Sequence, residues 1–311
     1  MKKYDVLAVG EINPDLIMTG FKTMPIKGKE IFCEQMNLVL GSSTVICAAG
    51  VAKLGMSVGF VGKVAGDIFG KFCLQELDKL GIDTSRVITE DTVKTGLTIS
   101  LSDEKDRALV TYLGHIETLD ANQITDDMLK TARHIHVGSF FLQTALRKNL
   151  ADMFRRAKAL GLTVSLDAGW DDTDTWDYGL LEALKYVDIF FPNETEALNI
   201  TKTATVQDAA AQLAKHCKTV CVKCGKSGAY AISEGQIVKK PTYEKIRAVD
   251  TTGAGDNFNS GFIYAFLNGM DLYKCVDFGN ACGSVSVTKI GGTTGCATLA
   301  EAERVISTGQ L

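Results

Sequence analysis

From about residue 130 onward, short runs rich in Val and Ile alternate with stretches whose apolar residues recur at helical spacing. This alternation is typical of a parallel sheet that is covered by helices on both faces. The predicted strands occupy residues 134–138, 162–167, 187–191 and 219–224, and residues 4–10 and 58–61 are expected to join the same sheet. Helical spacing occurs between these strands at Leu146, Leu150, Phe154, Ala157 and Leu160, and again at Ala209, Ala210 and Leu213. We therefore expect an α/β fold whose central sheet is mostly parallel.

Two segments, residues about 11–40 and about 93–114, do not follow that rhythm. In the second segment Leu97, Ile99 and Leu101 alternate with polar residues, and the charged stretch 103–107 predicts a hairpin turn. We expect these segments to form a small β-sheet lid on the larger body. Lids of this kind close over a substrate and exclude water, which matters where hydrolysis competes.

The overall charge and composition exclude several classes of function. With 33 basic and 37 acidic residues the net charge is −4, and no Lys/Arg-rich run offers a surface for nucleic acid. No stretch of about 18 apolar residues predicts a membrane span, and the N-terminus lacks the pattern of a signal peptide. The 9 cysteines are odd in number and lie mostly in apolar segments, which favours reduced core thiols. These features together predict a cytoplasmic protein that binds a small molecule.

The stretch from Asp250 to Phe262 concentrates the chemistry. Gly253, Ala254 and Gly255 form a turn almost without side chains, and the apolar residues after it fall on one helical face. Free backbone N–H groups and the positive end of the helix dipole converge at such a helix start, so the turn predicts an anion hole for a phosphoryl group.

Asp256 follows directly, in the first turn of the predicted helix. We expect the dipole to keep it ionised, so that it can accept the proton of an attacking hydroxyl group during phosphoryl transfer. The alternative is that Asp256 only caps the helix. A cap would not explain the neighbouring Asp250 and Thr252 or the two close glycines.

The same stretch resembles the C-terminal signature of the ribokinase-like, or PfkB-type, carbohydrate kinases, and the resemblance extends over essentially the full length. It implies one ribokinase-like three-layer α/β/α domain over residues 1–311 and a kinase that uses ATP. By the same resemblance Gly253, Ala254 and Gly255 supply the anion hole and Asp256 is the catalytic base.

Further motifs carry the resemblance. Asn193 and Glu196, after the strand that ends at residue 191, resemble the family's magnesium motif and would hold Mg²⁺ through water, as this ion often requires.

The segment 222–228 resembles the nucleotide loop, which assigns Lys223, Gly225 and Gly228 to ATP. It is not a P-loop, because Val220 stands where that motif needs glycine. The resemblance adds further nucleotide and K⁺ assignments: Asn280, Thr252, Gly253 and Gly255 for the nucleotide, and Asp250 and Thr252 for a possible monovalent cation.

On the substrate side, Asn13 and Asp15 are similar to family residues that bond sugar hydroxyls. Without the resemblance, Asn13-Pro14-Asp15 would simply be a turn. Gly41 and Ser42 occupy the place of a usual Gly-Gly pair, and Ile46 replaces an Asn that contacts substrate, so the identity of the sugar stays open. Gln143 is a further residue expected to reach the pocket.

Other residues admit a simpler interpretation. His134 and His136 share a strand face, but no third ligand suggests zinc. Cys221 and Cys224 should face opposite sides of a strand, which disfavours a disulfide. Phe140 or Phe141 would stack on a ring of the substrate or pack in the core.

Three functions remain open. The first is a kinase that transfers the γ-phosphate of ATP to a primary hydroxyl of a sugar. The second is a nucleoside kinase of the same fold, which the apolar Ile46 would suit. The third is a sugar-sensing relative without catalysis, for which Asp256 would be unnecessary. A homodimer through the lid is expected, because exposed β edges often pair with a second copy.

Overall fold

The computed structural model describes residues 2–102 and 107–311. Strands are numbered β1–β14 and helices α1–α11 in chain order. The strands of the large sheet are β1 Tyr4–Val9, β4 Val58–Val61, β9 Ala132–Val137, β10 Thr163–Leu166, β11 Ile189–Phe190, β12 Thr219–Lys223, β13 Ala229–Ser233 and β14 Gln236–Lys240. The small sheet contains β2 Pro14–Thr19, β3 Gln35–Leu40, β7 Leu97–Ser102 and β8 Arg107–Tyr112. A separate pair consists of β5 Lys63–Val64 and β6 Ile88–Thr89.

The large sheet has the order β14-β13-β12-β11-β10-β9-β1-β4. All neighbours from β12 to β4 are parallel, whereas β13 and β14 form an antiparallel edge. The prediction of a mostly parallel sheet is confirmed, and each predicted strand is present, with ends that differ by at most two residues from the prediction. Parallel strands bring their carboxyl ends to one edge, where open α/β sheets bind ligands.

The helices lie on both faces of this sheet. They are α1 Ser43–Lys53, α2 Ile68–Lys79, α3 Asp126–Leu129, α4 Thr144–Lys148, α5 Leu150–Ala159, α6 Leu180–Leu184, α7 Glu194–Thr201, α8 Val206–Leu213, α9 Ala254–Leu267, α10 Leu272–Ser286 and α11 Leu299–Thr308. One core cluster packs α3 to α8 against one face, and a second packs α1, α2 and α9 to α11 against the other. Alternate residues of a strand supply the two cores, as Leu7 and Ala8 of β1 do. The expected three-layer α/β/α arrangement is confirmed.

The residues at helical spacing from 146 to 160 lie on two helices, of which the first begins at Thr144. The first helix ends after Lys148 and the second begins at Leu150. Asn149, at φ −122 and ψ 18, lies outside helical geometry and separates the two helices without a break in the apolar spacing.

The small sheet has the order β3-β2-β7-β8 and joins the two segments that were predicted to form it. β2 pairs parallel with β7, and β7 and β8 form the expected antiparallel hairpin. Of the predicted turn at 103–107, residues 103–106 lie outside the described residues, and β8 begins at residue 107. Asp15, Thr98 and Thr111 are successive cross-strand partners, so they share one face of this sheet.

The simpler interpretation holds for the histidine and cysteine pairs. His134 bonds Thr163 and Ser165, and His136 bonds the same Ser165, all within the interior. In the described part of the chain no three His, Cys, Asp or Glu side chains form a group that could hold a metal. Cys221 packs in one core and Cys224 against the other.

All 9 cysteines are free thiols, and 7 of them are buried. Phe140 and Phe141 are both buried core residues. Within residues 2–102 and 107–311, no helix has the length and apolarity needed to cross a bilayer.

Candidate active site

A cavity of about 240 Å³ lies between the small sheet and the carboxyl edge of the large one. The small sheet contributes one face, which presents Asp15, Ile17, Thr98, Ser100, Leu109 and Thr111. The body contributes Glu11, Asn13, Ser42, Ser43, Ile46, Ile116, Ser139, Leu142, Thr252, Gly253 and Asp256. Sites for drug-sized ligands usually occupy roughly 300–1,000 Å³, so this cavity suits a smaller, sugar-sized compound.

The glycine turn closes the inner end of the cavity. Gly253 precedes α9 with φ +70, which L side chains rarely adopt, and a Cβ there would lie 2.8 Å from Cα of Gly292. Glycine is therefore required by both conformation and space. Asp256 stands in the first turn of α9, half-buried, and its carboxyl group lines the cavity. The predicted arrangement of turn, helix start and acidic side chain is present.

Burial opposes the ionisation of Asp256 that the helix dipole was expected to favour. Burial of its carboxyl group, followed by the negative charge of Asp167, raises the pKa of Asp256 to about 7. Lys223 and a hydrogen bond from Ser43 act in the opposite direction but do not cancel this rise. A pKa near neutrality is favourable for a general base, because its proton transfer is then efficient near neutral pH.

Ser43 and Glu11 contact this site and were not predicted. The Ser43 hydroxyl donates to Oδ1 of Asp256. Glu11 is buried, lines the cavity, and accepts hydrogen bonds from N and Oγ1 of Thr44 at 3.1 and 2.6 Å. Burial raises the pKa of Glu11. Both lie within the predicted substrate segments, but each meets its partner only after the chain has folded.

Asp167 is the third residue that sequence reasoning did not single out. It follows β10, and its carboxylate pairs with the Lys223 ammonium group at the end of β12. Burial alone would raise the pKa of Asp167, but the charge and hydrogen bond of Lys223, with a further bond from Asn259, lower it.

The predicted magnesium residues form a capping box at the start of α7. The amide N and Nδ2 of Asn193 donate to Glu196 at 2.8 and 2.6 Å, and the Glu196 amide donates back to Asn193 at 2.9 Å. Burial, followed by the charge of Asp167, raises the pKa of Glu196 to about 8. Each carboxyl oxygen accepts one protein bond and keeps a further lone pair, so these hard oxygen donors suit a hydrated Mg²⁺.

Two of the predicted nucleotide residues, Gly228 and Asn280, lie against the segment 240–241. Gly228 has φ +84, and a Cβ there would lie 2.0 Å from the Lys240 carbonyl oxygen. Asn280 donates from Nδ2 to the carbonyls of Lys240 and Pro241 at 3.2 Å each. Gly225 also has a positive φ, +54. A second cavity of about 330 Å³ adjoins this loop at Cys224 and Ser227.

The predicted cation residues fix the loop before α9. Oδ1 of Asp250 accepts from N and Oγ1 of Thr252 at 2.8 and 2.7 Å, and its Oδ2 accepts from the Gly291 amide at 2.8 Å. Asp250 therefore ties the glycine turn to the segment that follows α10.

The predicted substrate residues are only partly brought together. Asn13, Asp15 and Ser42 line the cavity, whereas Gly41 does not. Gly41 instead leaves room for Asp15, since a Cβ there would lie 2.0 Å from Asp15 Oδ1. Gln143 also does not line the cavity, contrary to expectation, because it is buried and donates to the Gly138 carbonyl at 2.5 Å.

Ser42 has φ 69, a backbone conformation that L side chains rarely adopt. Its hydroxyl donates to the Glu11 carbonyl at 2.6 Å and accepts from the Val45 amide at 3.2 Å, which caps α1. These two bonds offset the strain of a non-glycine residue there.

Solved structures share this whole architecture. A putative ribokinase II from E. coli, solved with ATP and Mg²⁺, matches with a TM-score of 0.86 over 98% of this chain and 99% of that chain, at 24% identity. The adenosine kinase from Sinorhizobium meliloti matches with a TM-score of 0.85 over 97% and 99% of the two chains, at 25% identity. These matches show that the chain has the ribokinase fold.

The sequence comparisons define the family. The model of the pfkB family carbohydrate kinases matches residues 3–299. The 2-dehydro-3-deoxygluconokinase of Bacillus subtilis (strain 168) is 32% identical over 286 residues, which cover 86% of each chain. The chain belongs to the pfkB family of carbohydrate kinases, and the resemblance inferred from its motifs is confirmed.

Proposed function

We propose that this carbohydrate kinase transfers the γ-phosphoryl group of ATP to a primary hydroxymethyl group of a sugar or sugar-like compound, with Asp256 as the general base. The observation that carries this proposal is the position of Asp256, whose carboxyl group lines the inner end of the cavity in the first turn of α9. An acceptor hydroxyl that enters the cavity reaches a base and an anion-binding helix start together.

The glycine turn supplies charge stabilisation in this proposal. Phosphoryl transfer passes through a loose transition state, so positioning and electrostatics account for most of the catalysis. Gly253, Ala254 and Gly255 place the start of α9, with its dipole, beside the cavity without side chains in the way. The small sheet acts as a lid that keeps water from competing with the acceptor.

The nucleotide is proposed to lie along the loop from Gly225 to Gly228, close to Asn280, and to extend its phosphates past Lys223 toward Thr252 and the glycine turn. The ammonium group of Lys223 supports this course, since it lies within 3.3 Å of a Cβ built on Gly255. A basic group at that place suits the charge of a polyphosphate.

Mg²⁺ is proposed to be held through water by Asn193 and Glu196, where it would neutralise phosphate charge. Asp250 and Thr252 are the proposed ligands of a monovalent cation. The dependence of the rate on K⁺ at constant ionic strength tests that second assignment.

The acceptor is proposed to bond Asn13, Asp15 and Ser42, next to Gly41. A nucleoside is the second candidate, because Ile46, Ile116 and Leu142 give the cavity an apolar side against which a base could pack. The similar adenosine kinase shows that the fold admits such substrates in another protein.

A homodimer in the cytoplasm is the proposed working form. The outer face of the small sheet is apolar, and Met36, Val110 and Tyr112 on it are 64%, 60% and 53% exposed. A patch of this kind marks an interaction surface. Analytical ultracentrifugation should give twice the chain mass, and Met36→Lys with Val110→Lys should give monomers.

A substrate panel tests the proposed function. The protein is incubated with ATP and Mg²⁺ and with D-ribose, D-fructose, 2-dehydro-3-deoxygluconate or adenosine, and ADP release and the phosphorylated product are measured. A sugar that is phosphorylated faster than adenosine supports the sugar kinase. Faster phosphorylation of adenosine supports the nucleoside kinase. Binding of a sugar without any phosphorylated product would favour the sensing function and contradict the proposal.

A further inference from the structure

A buried ion pair joins the ends of two strands at the carboxyl edge of the large sheet. β10 and β12 lie on either side of β11, so the residues at their ends face each other across it. The Lys223 ammonium group donates to Oδ2 of Asp167, and the two side chains are only 12% and 5% exposed.

Asp167 has two further partners that fix its carboxylate. Nδ2 of Asn259 donates to Oδ2 at 2.7 Å, and the Gly169 amide donates to Oδ1 at 3.1 Å. Asn259 lies on α9, three residues after Asp256, and is fully buried. The carboxylate thus links the end of β10 to the helix that carries the proposed base.

The ammonium group of Lys223 lies against the glycine turn. A Cβ built on Gly255 would be 3.3 Å from Nζ, so even an alanine there would press on the charged group. The charges of Asp167, Glu196 and Asp256 all raise the pKa of Lys223 against the effect of its burial, so the group stays cationic.

The buried pair of Asp167 and Lys223 is not expected to add much to the free energy of unfolding. Removing two charges from water is costly, and well-packed apolar residues in their place are often as stable or more so. A long Lys side chain also has many rotamers, and an anchored carboxylate selects one of them.

We propose that Asp167 is a positioning residue for phosphoryl transfer, which holds the Lys223 ammonium group beneath the Gly253–Gly255 turn and facing the phosphoryl group in transit. This inference rests on the proposed function of the site. Asp167 does not itself touch the substrates, and its effect on the rate is exerted through Lys223.

The test is a double-mutant cycle with Asp167→Asn, Lys223→Met and the double variant. Each is assayed with ATP, Mg²⁺ and the fastest acceptor of the panel. Asp167→Asn should lower kcat at least about 100-fold, on the scale of a lost transition-state contact, and leave the KM for the acceptor within about 3-fold. In the Lys223→Met background the same change should cost less than about 5-fold, because the group it positions is absent.

Ser165→Ala is the matched control. Ser165 lies on the same strand β10, is equally buried, and bonds His134 and His136. Its loss should lower the melting temperature without changing kcat.

Two outcomes would overturn the inference. The first is a kcat for Asp167→Asn within about 3-fold of wild type despite a lower melting temperature. The second is a double variant in which the effects of the two single substitutions on the activation free energy simply add. A wild-type protein that phosphorylates no acceptor would instead overturn the proposed function, and the inference with it.

Discussion

Ser43 and Asp256, in the first turns of α1 and α9, are hydrogen-bonded to each other and both line the cavity. The serine hydroxyl supplies a hydrogen bond that stabilises the ionised form of the proposed base and lowers its pKa. Burial and Asp167 act more strongly, so the net result is a carboxyl group that titrates near neutrality. The pH dependence of the reaction should report this balance.

Replacing Ser43 by alanine should raise the pKa of Asp256 above that of the wild-type protein. Loss of the donor raises the pKa of Asp256 further, so the acidic limb of the kcat/KM profile should move to higher pH by about 1 unit or less, the size of one hydrogen bond. The profile is measured between about pH 5 and about pH 9 for both proteins. A shift to lower pH would show that Ser43 does not act on the base as described.

Functional residues that lie together in one sequence motif can be predicted from the sequence. Functional residues that meet only in the folded chain cannot. Gly253, Gly255 and Asp256 could be predicted because one local pattern, a small turn before an amphipathic helix, sets their geometry. Ser43 and Asp167 could not, because their significance depends on contacts between residues that are 213 and 56 positions apart.

Among the elements, the junction of β3 and α1 connects the small sheet to the α/β body. Gly41 follows β3, and the Asp15 carboxylate of β2 occupies the space where its side chain would be. The Gly41 amide also donates to the Asn13 carbonyl at 3.0 Å. The Asp15 carboxylate, which is proposed to bind the substrate, therefore keeps its position only because residue 41 is a glycine and has no side chain.

Gly41→Ala should displace Asp15 and weaken acceptor binding. A Cβ there meets Asp15 Oδ1 at 2.0 Å, so the carboxylate must move. We expect the KM for the acceptor to rise at least about 10-fold, as when a site loses a placed polar group, with the KM for ATP unchanged.

Gly28→Ala serves as its control. Gly28 has φ +78, which strains an L residue placed there, but a Cβ meets nothing within 4 Å. The control should therefore lower stability without raising the KM for the acceptor. Equal kinetic effects in the two variants would contradict the role given to Gly41.

Element type could be predicted better than element ends. The parallel strands are short apolar runs between amphipathic helices, so their pattern is strong. The hairpin of β13 and β14 was not predicted, although its turn at Glu234 and Gly235, both with positive φ, is a local signal of such a connection. The break at Asn149 leaves the apolar spacing intact and so has no signature in the pattern.

For the whole molecule, three raised carboxyl pKa values make stability depend on pH. The folded pKa of Asp256 is about 7 and that of Glu196 about 8, and that of Glu11 is also raised. The folded protein binds these protons more tightly than the unfolded chain does. The stabilisation is complete below the unfolded pKa values and is lost as pH rises through the folded ones.

The ligand-free protein should therefore become less stable from about pH 6.5 to about pH 8.5. Buried His134 and His136 have lowered pKa values and favour folding as pH rises, but only up to the ordinary histidine value of 6.5. Urea unfolding at several pH values measures the free energy, and Glu196→Gln should flatten the slope. A free energy of unfolding that rises through this window would contradict the assignment.

The central claim is that Asp256 accepts the proton of the acceptor hydroxyl, and Asp256→Asn tests it most directly. The variant keeps the shape of the side chain and removes its basicity. Turnover of ATP with the fastest acceptor should fall at least about 1,000-fold, while calorimetry should show nucleotide affinity within about 3-fold of wild type. Turnover within about 10-fold of wild type would show that another group, or none, takes the proton.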